Sequence, residues 1–164
     1  LNIFNNHCDT VCMANIAQMV NVLQAMILTE GSKMVLTPTY HVFALYAAHQ
    51  GAQQLESYAE TSILRHDEEA VPTLHVSASR AADGKILITV ANLDAAHPAE
   101  VQVLLGGVKA AAVNGTVLCG TDARNTFTAP NAVQPKALPA VLTADGFTAA
   151  LPACSVAAFT VTPQ

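Results

Sequence analysis

The sequence predicts a mainly β fold: an antiparallel β-sandwich of the jelly-roll type, preceded by a segment with different periodicity. From about residue 70 onward apolar residues alternate with polar ones, and turn-forming dipeptides separate the alternating runs. About seven short strands spaced in this way are typical of a sandwich or jelly roll. The first 50 residues or so carry helical patterns and a long apolar run instead, so the two parts of the chain obey different periodicities.

The clearest strand signal lies around Asp83-Gly84. Apolar residues alternate in the runs 74–78 and 86–90 on either side of this dipeptide. Asp-Gly between two alternating runs is a strong signal for a tight β-hairpin, because both residues tolerate positive φ. The same pattern predicts turns at Asn114-Gly115 and Asp145-Gly146.

Two further runs complete the predicted sandwich. Alternating apolar residues at 101–105 and 156–161 predict two strands, the second of which closes the chain. Residues 65–72, "RHDEEAVP", predict a solvated linker. The triplet from Asn114 to Thr116 matches a glycosylation sequon, but Asn-Gly favours a type I′ turn.

The opening segment contains two helical signals and one ambiguity. Residues 1–9 suit the end of a helix, and Thr37 before Pro38 predicts a helix start that runs to about Gln50. Between these helices, apolar residues at helical spacing fit a helix over 16–27, whereas the run 11–17 fits a strand buried on both faces. Periodicity alone does not decide between them.

Composition argues against several classes of partner. The 164 residues are 52% apolar, only 12% are charged, and the net charge is -5 without any cluster of Lys or Arg. We therefore expect no nucleic-acid partner and, because the apolar runs are shorter than the roughly 18–20 residues of a membrane span, no membrane partner. The low charge suggests that part of the surface meets other protein. The chain begins "LNIFNNHCD", which reads as the interior of a longer protein.

Few residues suggest metal or redox chemistry. His7, Cys8 and Cys12 lie close together, but a second ligand pair with matching spacing is missing, so a cluster at a helix end is favoured over a zinc site. We predict no metal and no cofactor. The four cysteines are expected to be reduced, and the compartment stays open, with a cytoplasmic location favoured over secretion. The other histidines are expected to be surface or capping residues: His41, His49, His66, His75 and His97.

Acids and amides supply the remaining candidates. Glu30 lies in an apolar stretch, where burial could raise the pKa of its carboxyl, but a general acid needs a partner and none is evident. The acids at 67–69 fit a solvated linker. Four uncharged amides in the apolar opening segment are the polar groups that look deliberately placed: Asn15, Gln18, Asn21 and Gln24.

Two stretches carry a resemblance to a known family. Residues 2–52, "NIFNNHCDTVCMANIAQMVNVLQAMILTEGSKMVLTPTYHVFALYAAHQGA", resemble the end of the catalytic domain of glycoside hydrolase family 51 α-L-arabinofuranosidases. Residues 115–135, "GTVLCGTDARNTFTAPNAVQP", resemble the Asn-Thr-Phe segment of that family's C-terminal sandwich. The two stretches follow each other in the family's order.

The resemblance implies a (β/α)₈ barrel followed by a jelly roll. Residues 1–52 then form the end of the catalytic barrel, with its last strand at about 11–17 and its last helix at 37–50, and residues 53–164 form the sandwich. This interpretation favours the strand over the helix in the opening segment. It places Gln18 at a strand end on the barrel rim, where active sites of such barrels lie.

The resemblance also implies an activity. The family consists of retaining, exo-acting enzymes that remove terminal α-L-arabinofuranosyl groups from arabinan or arabinoxylan, using an acid/base glutamate and a nucleophilic glutamate. Both glutamates would precede Leu1, so the chain alone is expected to be inactive. The family's glutamine at the position of Gln18 contacts arabinose. Asn15, Asn21 and Gln24 are expected to hydrogen-bond backbone or loops.

Partners and alternatives complete the expectations. The resemblance implies an arabinose-containing glycan as substrate, a homo-oligomer, and a sandwich edge completed by a strand from the N-terminus of the whole protein. The alternatives are a carbohydrate-binding module and a purely structural or oligomerisation module. Binding modules usually present aromatic platforms, and this chain has no Trp.

Overall fold

The structure, a computed structural model, describes residues 1–120 and 124–164. The helices are α1 (Asn2–Asn6) and α2 (Pro38–Tyr46), and a 3₁₀ turn, Ala47–His49, continues α2. The strands are β1 (Ile27–Glu30), β2 (Lys33–Leu36), β3 (Gln53–Leu55), β4 (Ile63–His66), β5 (Glu69–Pro72), β6 (Leu74–Arg80), β7 (Ile86–Asn92), β8 (Ala99–Leu104), β9 (Ala110–Cys119), β10 (Lys136–Leu138), β11 (Ala140–Thr143), β12 (Gly146–Leu151) and β13 (Ser155–Pro163). In the described residues, no helix is long and apolar enough to cross a membrane.

Two antiparallel sheets form the body of the protein. One has six strands in the order β10-β9-β13-β7-β6-β3, and the other has three in the order β11-β12-β8. The strands β1 and β2 form a separate hairpin, as do β4 and β5. The predicted mainly β fold with an antiparallel sandwich is confirmed.

The core lies between the two sheets. Alternate residues of β7 and β13 point into it, as the period of two in a strand requires. Phe159 of the larger sheet meets Phe147 of the smaller one, with ring centroids 4.9 Å apart and both side chains almost fully buried. Such an aromatic pair contributes about 0.5–1.5 kcal/mol beyond its buried area.

Two of the three predicted turns are confirmed. Gly84 has φ 85° in the turn between β6 and β7, and Asp83 accepts a hydrogen bond from the backbone N–H of Lys85. Between β11 and β12 the two-residue turn comprises Ala144 and Asp145, one position earlier than predicted. Gly146 is already part of β12.

The predicted turn at Asn114-Gly115 is wrong, because both residues lie inside β9. Gly115 is paired with Leu138 on one side and Phe159 on the other. A Cβ atom at Gly115 would lie 2.5 Å from the carbonyl oxygen of Leu138 and 3.0 Å from a ring carbon of Phe159. The glycine therefore serves close packing within the sheet.

The predicted linker at 65–72 is also wrong. These residues belong to the hairpin of β4 and β5, and Asp67 takes φ 51° in its turn. Nearly all side chains of the hairpin are exposed, so its charges stay in water. Sequence polarity indicated solvation correctly, but a solvated strand pair carries the same signal as a loop.

The helix predicted from Thr37 is confirmed. The Thr37 side chain accepts a hydrogen bond from the backbone N–H of Tyr40, and Pro38 occupies the first helical position. Gly51 has φ 71° after the 3₁₀ turn, consistent with its predicted role as a stop signal.

The strand expected at 11–17 is not formed, and neither is the alternative helix over 16–27. Residues 11–19 are irregular, and Val20 makes a single parallel bridge with Ile27. A strand buried on both faces needs neighbouring strands and covering helices, and the described residues supply neither for this run. Positive φ values at Asn21 and Gln24 interrupt a helix.

A buried polar cluster fixes α1 to the outer face of the six-stranded sheet. The Asn2 side chain donates to the backbone oxygen of His75 and accepts from the hydroxyls of Ser77 and Thr89, at 2.7, 2.9 and 2.8 Å. The ring nitrogens of His49 lie 2.7 Å from the hydroxyl of Ser79 and 3.1 Å from that of Thr89. We call these five side chains the helix–sheet cluster: Asn2, His49, Ser77, Ser79 and Thr89.

His49 is thus a packed member of this cluster, and the expectation of a surface or capping residue is wrong for it. Burial lowers the pKa of His49, because a charged ring would lose hydration. Burial also raises the pKa of the neighbouring Tyr46 to about 12.

The packing around Gly115 generates a stability prediction. The change Gly115→Ala should lower the free energy of unfolding by about 1–3 kcal/mol, the usual cost of overpacking, because the new Cβ meets a backbone oxygen. The control Ala112→Val enlarges an exposed residue of the same strand and should change stability by less than about 0.5 kcal/mol. Urea unfolding measures both, and equal stabilities for the two variants would contradict this packing.

The pKa of His49 generates a prediction about pH. The pKa of His49 is lower in the folded chain than in the unfolded chain. Below about pH 6.5 the unfolded chain therefore binds more protons at His49 than the folded chain does, and the free energy of unfolding falls as the pH falls. Burial lowers the pKa of His41 too, so both residues contribute with the same sign. His49→Gln should reduce the slope of unfolding free energy against pH between about pH 7 and 5. His66→Gln, at a side chain 94% exposed, should leave the slope unchanged.

Candidate functional site

Gln18, the predicted sugar-contacting residue, lies in the irregular segment that precedes β1. Its side chain is exposed. The next residue, Met19, accepts a hydrogen bond at 3.1 Å from the backbone N–H of Ile27, and Val20 bridges to Ile27. Gln18 therefore directly precedes the point where the segment joins the β1–β2 hairpin.

Asn21 braces the loop after Gln18. Its side chain accepts from the Thr29 backbone N–H at 2.7 Å and donates to the Thr29 hydroxyl and carbonyl oxygens at 2.9 and 3.2 Å. The expected backbone and loop role is thereby confirmed for Asn21. Asn15 and Gln24 are exposed, and their side chains make no such bond to another described residue, so this role stays a prediction for them.

Thr37 provides a second attachment, at the other end of the hairpin. Its hydroxyl donates to the carbonyl oxygen of Ala25 at 2.7 Å, and its backbone N–H donates to that of Met26 at 3.0 Å. The loop that follows Gln18 is therefore held against the start of α2. We call residues 18–28 the rim loop.

The acids near this loop do not form a catalytic arrangement. Glu30 is exposed at the end of β1, opposite Lys33, so the expected apolar surroundings are not found. The acids at 67–69 are exposed, as predicted. Two carboxyls with a lowered pKa lie in turns elsewhere. Hydrogen bonds from Lys85 lower the pKa of Asp83, and hydrogen bonds from the backbone N–H of Ala96 and from His97 lower the pKa of Asp94.

The residues His7, Cys8 and Cys12 do not converge on a metal. Cys8 lies 3.6 Å from the side-chain oxygen of Gln54, and both cysteines are exposed. Over residues 1–120 and 124–164, no group of three His, Cys, Asp or Glu side chains is placed to hold a metal ion.

A cleft of about 580 Å³ opens beside β8, the last strand of the smaller sheet. Apolar side chains of both sheets reach its floor, among them Val76 and Val103, while Glu56, Tyr58 and Glu100 surround it. Tyr58 is 88% exposed. In the described part of the chain β8 pairs only with β12, so its other edge is open.

Known proteins resemble the chain over almost its whole length. The alpha-L-arabinofuranosidase C-terminal domain family matches residues 1–155. An intracellular exo-alpha-L-arabinofuranosidase of Bacteroides ovatus is 42% identical over 139 residues, which are 82% of this chain and 27% of that protein. The chain therefore spans about a quarter of the curated relative.

Solved structures show the same fold. A GH51 arabinofuranosidase from Xanthomonas axonopodis pv. citri is 47% identical with a TM-score of 0.91, over 98% of this chain and 33% of that one. A family 51 alpha-L-arabinofuranosidase from Bifidobacterium longum is 28% identical with a TM-score of 0.86, over 98% of this chain and 32% of that one. With a family match over residues 1–155, this chain belongs to the alpha-L-arabinofuranosidase C-terminal domain family.

Proposed function

We propose that this chain is the C-terminal part of a retaining, exo-acting α-L-arabinofuranosidase that removes terminal α-L-arabinofuranosyl groups from arabinan- or arabinoxylan-type glycans. The observation that carries the proposal is the 47% identity, with a TM-score of 0.91, to a GH51 arabinofuranosidase over 98% of the chain. The related Bacteroides ovatus protein, named as an exo-enzyme, supports release of terminal groups.

The proposed division of the chain places residues 1–52 at the end of a catalytic barrel and residues 53–164 in the sandwich. Exposed apolar side chains in the first part support this division, because isolated domains rarely leave so many uncovered. They are Ile3, Phe4, Met13, Met19, Val20, Leu23 and Met34. The rest of the barrel would cover them, and would give residues 11–17 the neighbouring strands that a buried strand requires.

Gln18 would contact the arabinose. An amide can donate to one sugar hydroxyl and accept from another, so it suits a neutral polyol better than a charged group does. Its exposed side chain at a braced rim loop supports this role. The side chains of Asn21 and Thr37 hold the loop by bonding to backbone groups of Thr29 and Ala25, so the position of Gln18 does not depend on bonds of its own side chain.

The reacting carboxylates would come from the rest of the protein. A retaining mechanism uses an acid/base and a nucleophile with carboxyl groups roughly 5–5.5 Å apart. Glu30 and the acids at 67–69 are exposed, and Asp83 and Asp94 are engaged in turns. None of these is assigned a catalytic role.

The sandwich would brace the barrel, and its open edge would be completed by an upstream strand. The unpaired edge of β8 and the apolar floor of the cleft support this, because such edges are normally covered. A strand there would also cover Tyr58, whose exposure is otherwise unexplained. The low charge of the chain suits further contacts between copies of the whole protein.

The chain alone should not hydrolyse an aryl α-L-arabinofuranoside, because the glutamate pair is proposed to lie outside it. The full-length protein should hydrolyse this substrate and retain the anomeric configuration of the product, which NMR of early products reports. Turnover by the purified 164-residue chain above a buffer control would contradict the proposal, as would an inactive full-length protein.

Replacing Gln18 tests the sugar contact. In the full-length protein, Gln18→Ala should lower kcat/KM by about two- to tenfold, because a lost hydrogen bond to substrate costs roughly 0.5–1.5 kcal/mol. The control Gln24→Ala makes the same change at an exposed amide of the same loop and should leave kcat/KM nearly unchanged. An unaltered kcat/KM for Gln18→Ala would remove Gln18 from the site.

The uncovered apolar surface predicts association. The isolated chain should form dimers or larger species in light scattering, because exposed side chains such as Leu23, 87% exposed, gain by burial against one another. Replacing Leu23 and Met34 with Ser should shift the chain toward the monomer, whereas Leu142→Ser on the sandwich serves as the control. A monodisperse monomer of the unmodified chain would argue against a surface adapted to a missing neighbour.

A further inference from the structure

Asn125 is a buried amide whose hydrogen-bonding capacity is largely used. It is 4% exposed. Its side-chain nitrogen donates to the carbonyl oxygens of Leu36 and Val133, both at 2.8 Å, and its side-chain oxygen accepts from the backbone N–H of Val133 at 2.8 Å. Two of these bonds close its own loop, and the third crosses 89 positions of sequence to the end of β2.

The bond to Leu36 reaches the rim loop through a short series of backbone contacts. Leu36 is paired with Ile27 at the end of the β1–β2 hairpin. The backbone N–H of Ile27 donates to Met19, and its carbonyl oxygen accepts from Asn21 at 3.1 Å. Met19 directly follows Gln18. The side chain of Asn125 is therefore separated from Gln18 by one strand pair and one backbone hydrogen bond.

A buried amide in this arrangement holds two segments together by hydrogen-bonding to both. Without Asn125, the Leu36 carbonyl and both backbone groups of Val133 would lose partners in a place that water does not readily reach, so the two segments would move apart or repack. The hairpin is also held by Thr37 at the start of α2, and α2 packs against β9 and β13 of the sandwich. Asn125 adds a direct side-chain hydrogen bond between the hairpin and the loop that follows β9.

We infer that Asn125 is a positioning residue for Gln18: its side chain joins the sandwich to the β1–β2 hairpin, and the hairpin sets the place of the rim loop. The inference rests on the proposed function for its catalytic consequence, whereas the mechanical link between Asn125 and the rim loop stands on the hydrogen bonds alone. It assigns the Asn-Thr-Phe segment a task at the barrel rim in addition to packing within the sandwich.

Hydrogen exchange on the full-length protein tests the mechanical link. Asn125→Ala and the isosteric Asn125→Asp, which loses the donors to Leu36 and Val133, should both speed exchange at the backbone amides of Asn21, Ile27 and Thr37. Exchange in β7 and β13 should stay as in the unmodified protein. The control Asn131→Ala changes an exposed amide six positions away and should alter neither region. Unchanged exchange in the rim loop, or equal acceleration throughout the sandwich, would overturn the inference.

A double-mutant comparison tests the link to substrate. Asn125→Asp should lower kcat/KM for an aryl α-L-arabinofuranoside by at most the roughly two- to tenfold that Gln18→Ala costs, because a displaced Gln18 loses its contact with the sugar. In the Gln18→Ala background the same change should have an effect of less than about twofold, because Asn125 acts through Gln18. A purely structural residue would give the same loss in both backgrounds, and that result would overturn the inference.

The two proposals fail in different ways. If Gln18→Ala leaves kcat/KM unchanged while Asn125→Asp speeds hydrogen exchange in the rim loop, the sugar contact at Gln18 is wrong and the mechanical link from Asn125 to the rim loop is supported. If Gln18→Ala lowers kcat/KM and Asn125→Asp changes neither exchange nor kcat/KM, the sugar contact stands and the positioning role is wrong. If Asn125→Ala does not fold, Asn125→Asp carries both tests.

Discussion

The two faces of the six-stranded sheet carry different chemistry, and the rest of the structure depends on that difference. In β7, alternate residues such as Ile88 enter the apolar core, while Thr89 points to the opposite face and bonds Asn2 and His49. The same alternation holds in β6, where Ser77 belongs to the polar face. One sheet can therefore seal a sandwich and also receive the helices of the first 50 residues through specific hydrogen bonds.

A polar interface of this kind fixes orientation more than it adds stability. An apolar contact would tolerate sliding of α1 over the sheet, whereas the Asn2 side chain must meet a carbonyl and two hydroxyls at once. Leaving any one of these buried groups unpaired costs about 1–3 kcal/mol, so alternative placements are disfavoured. Asn125 makes a second polar attachment, to the end of β2. Together they give the sandwich a defined position relative to the segment that bears Gln18.

Much of the fold was predictable from the sequence where the relevant physics is local. The turn at Gly84 and the cap at Thr37 follow from backbone φ preferences and a side-chain acceptor. The turn predicted at Asn114-Gly115 was wrong because glycine is also required where two strands approach closely. Gly115 lies against Leu138, which belongs to a strand 20 or more positions away. The hairpin at 63–72 was missed because exposed strands have the composition of loops.

The candidate site was predictable only in part. Gln18 followed from a family resemblance, and Asn21 was correctly assigned to loop bonding. The tasks of His49 and Asn125 depend on partners 30 to 89 positions distant, which no local pattern reports. The only sequence feature that drew attention to Asn125 was its place in the Asn-Thr-Phe segment. That feature indicated the family and did not indicate which residues Asn125 contacts. A strand at 11–17 that is buried on both faces requires neighbouring strands, which the described residues do not supply, so its absence follows from the physics of parallel sheets.

The most direct measurement is a crystal structure of the full-length protein with arabinose bound. We expect the side-chain amide of Gln18 to lie at hydrogen-bond distance, roughly 2.7–3.2 Å, from a hydroxyl of the sugar, with Asn125 still bonded to Leu36. A sugar bound away from Gln18, with this side chain facing solvent or another domain, would show that Gln18 does not contact the substrate.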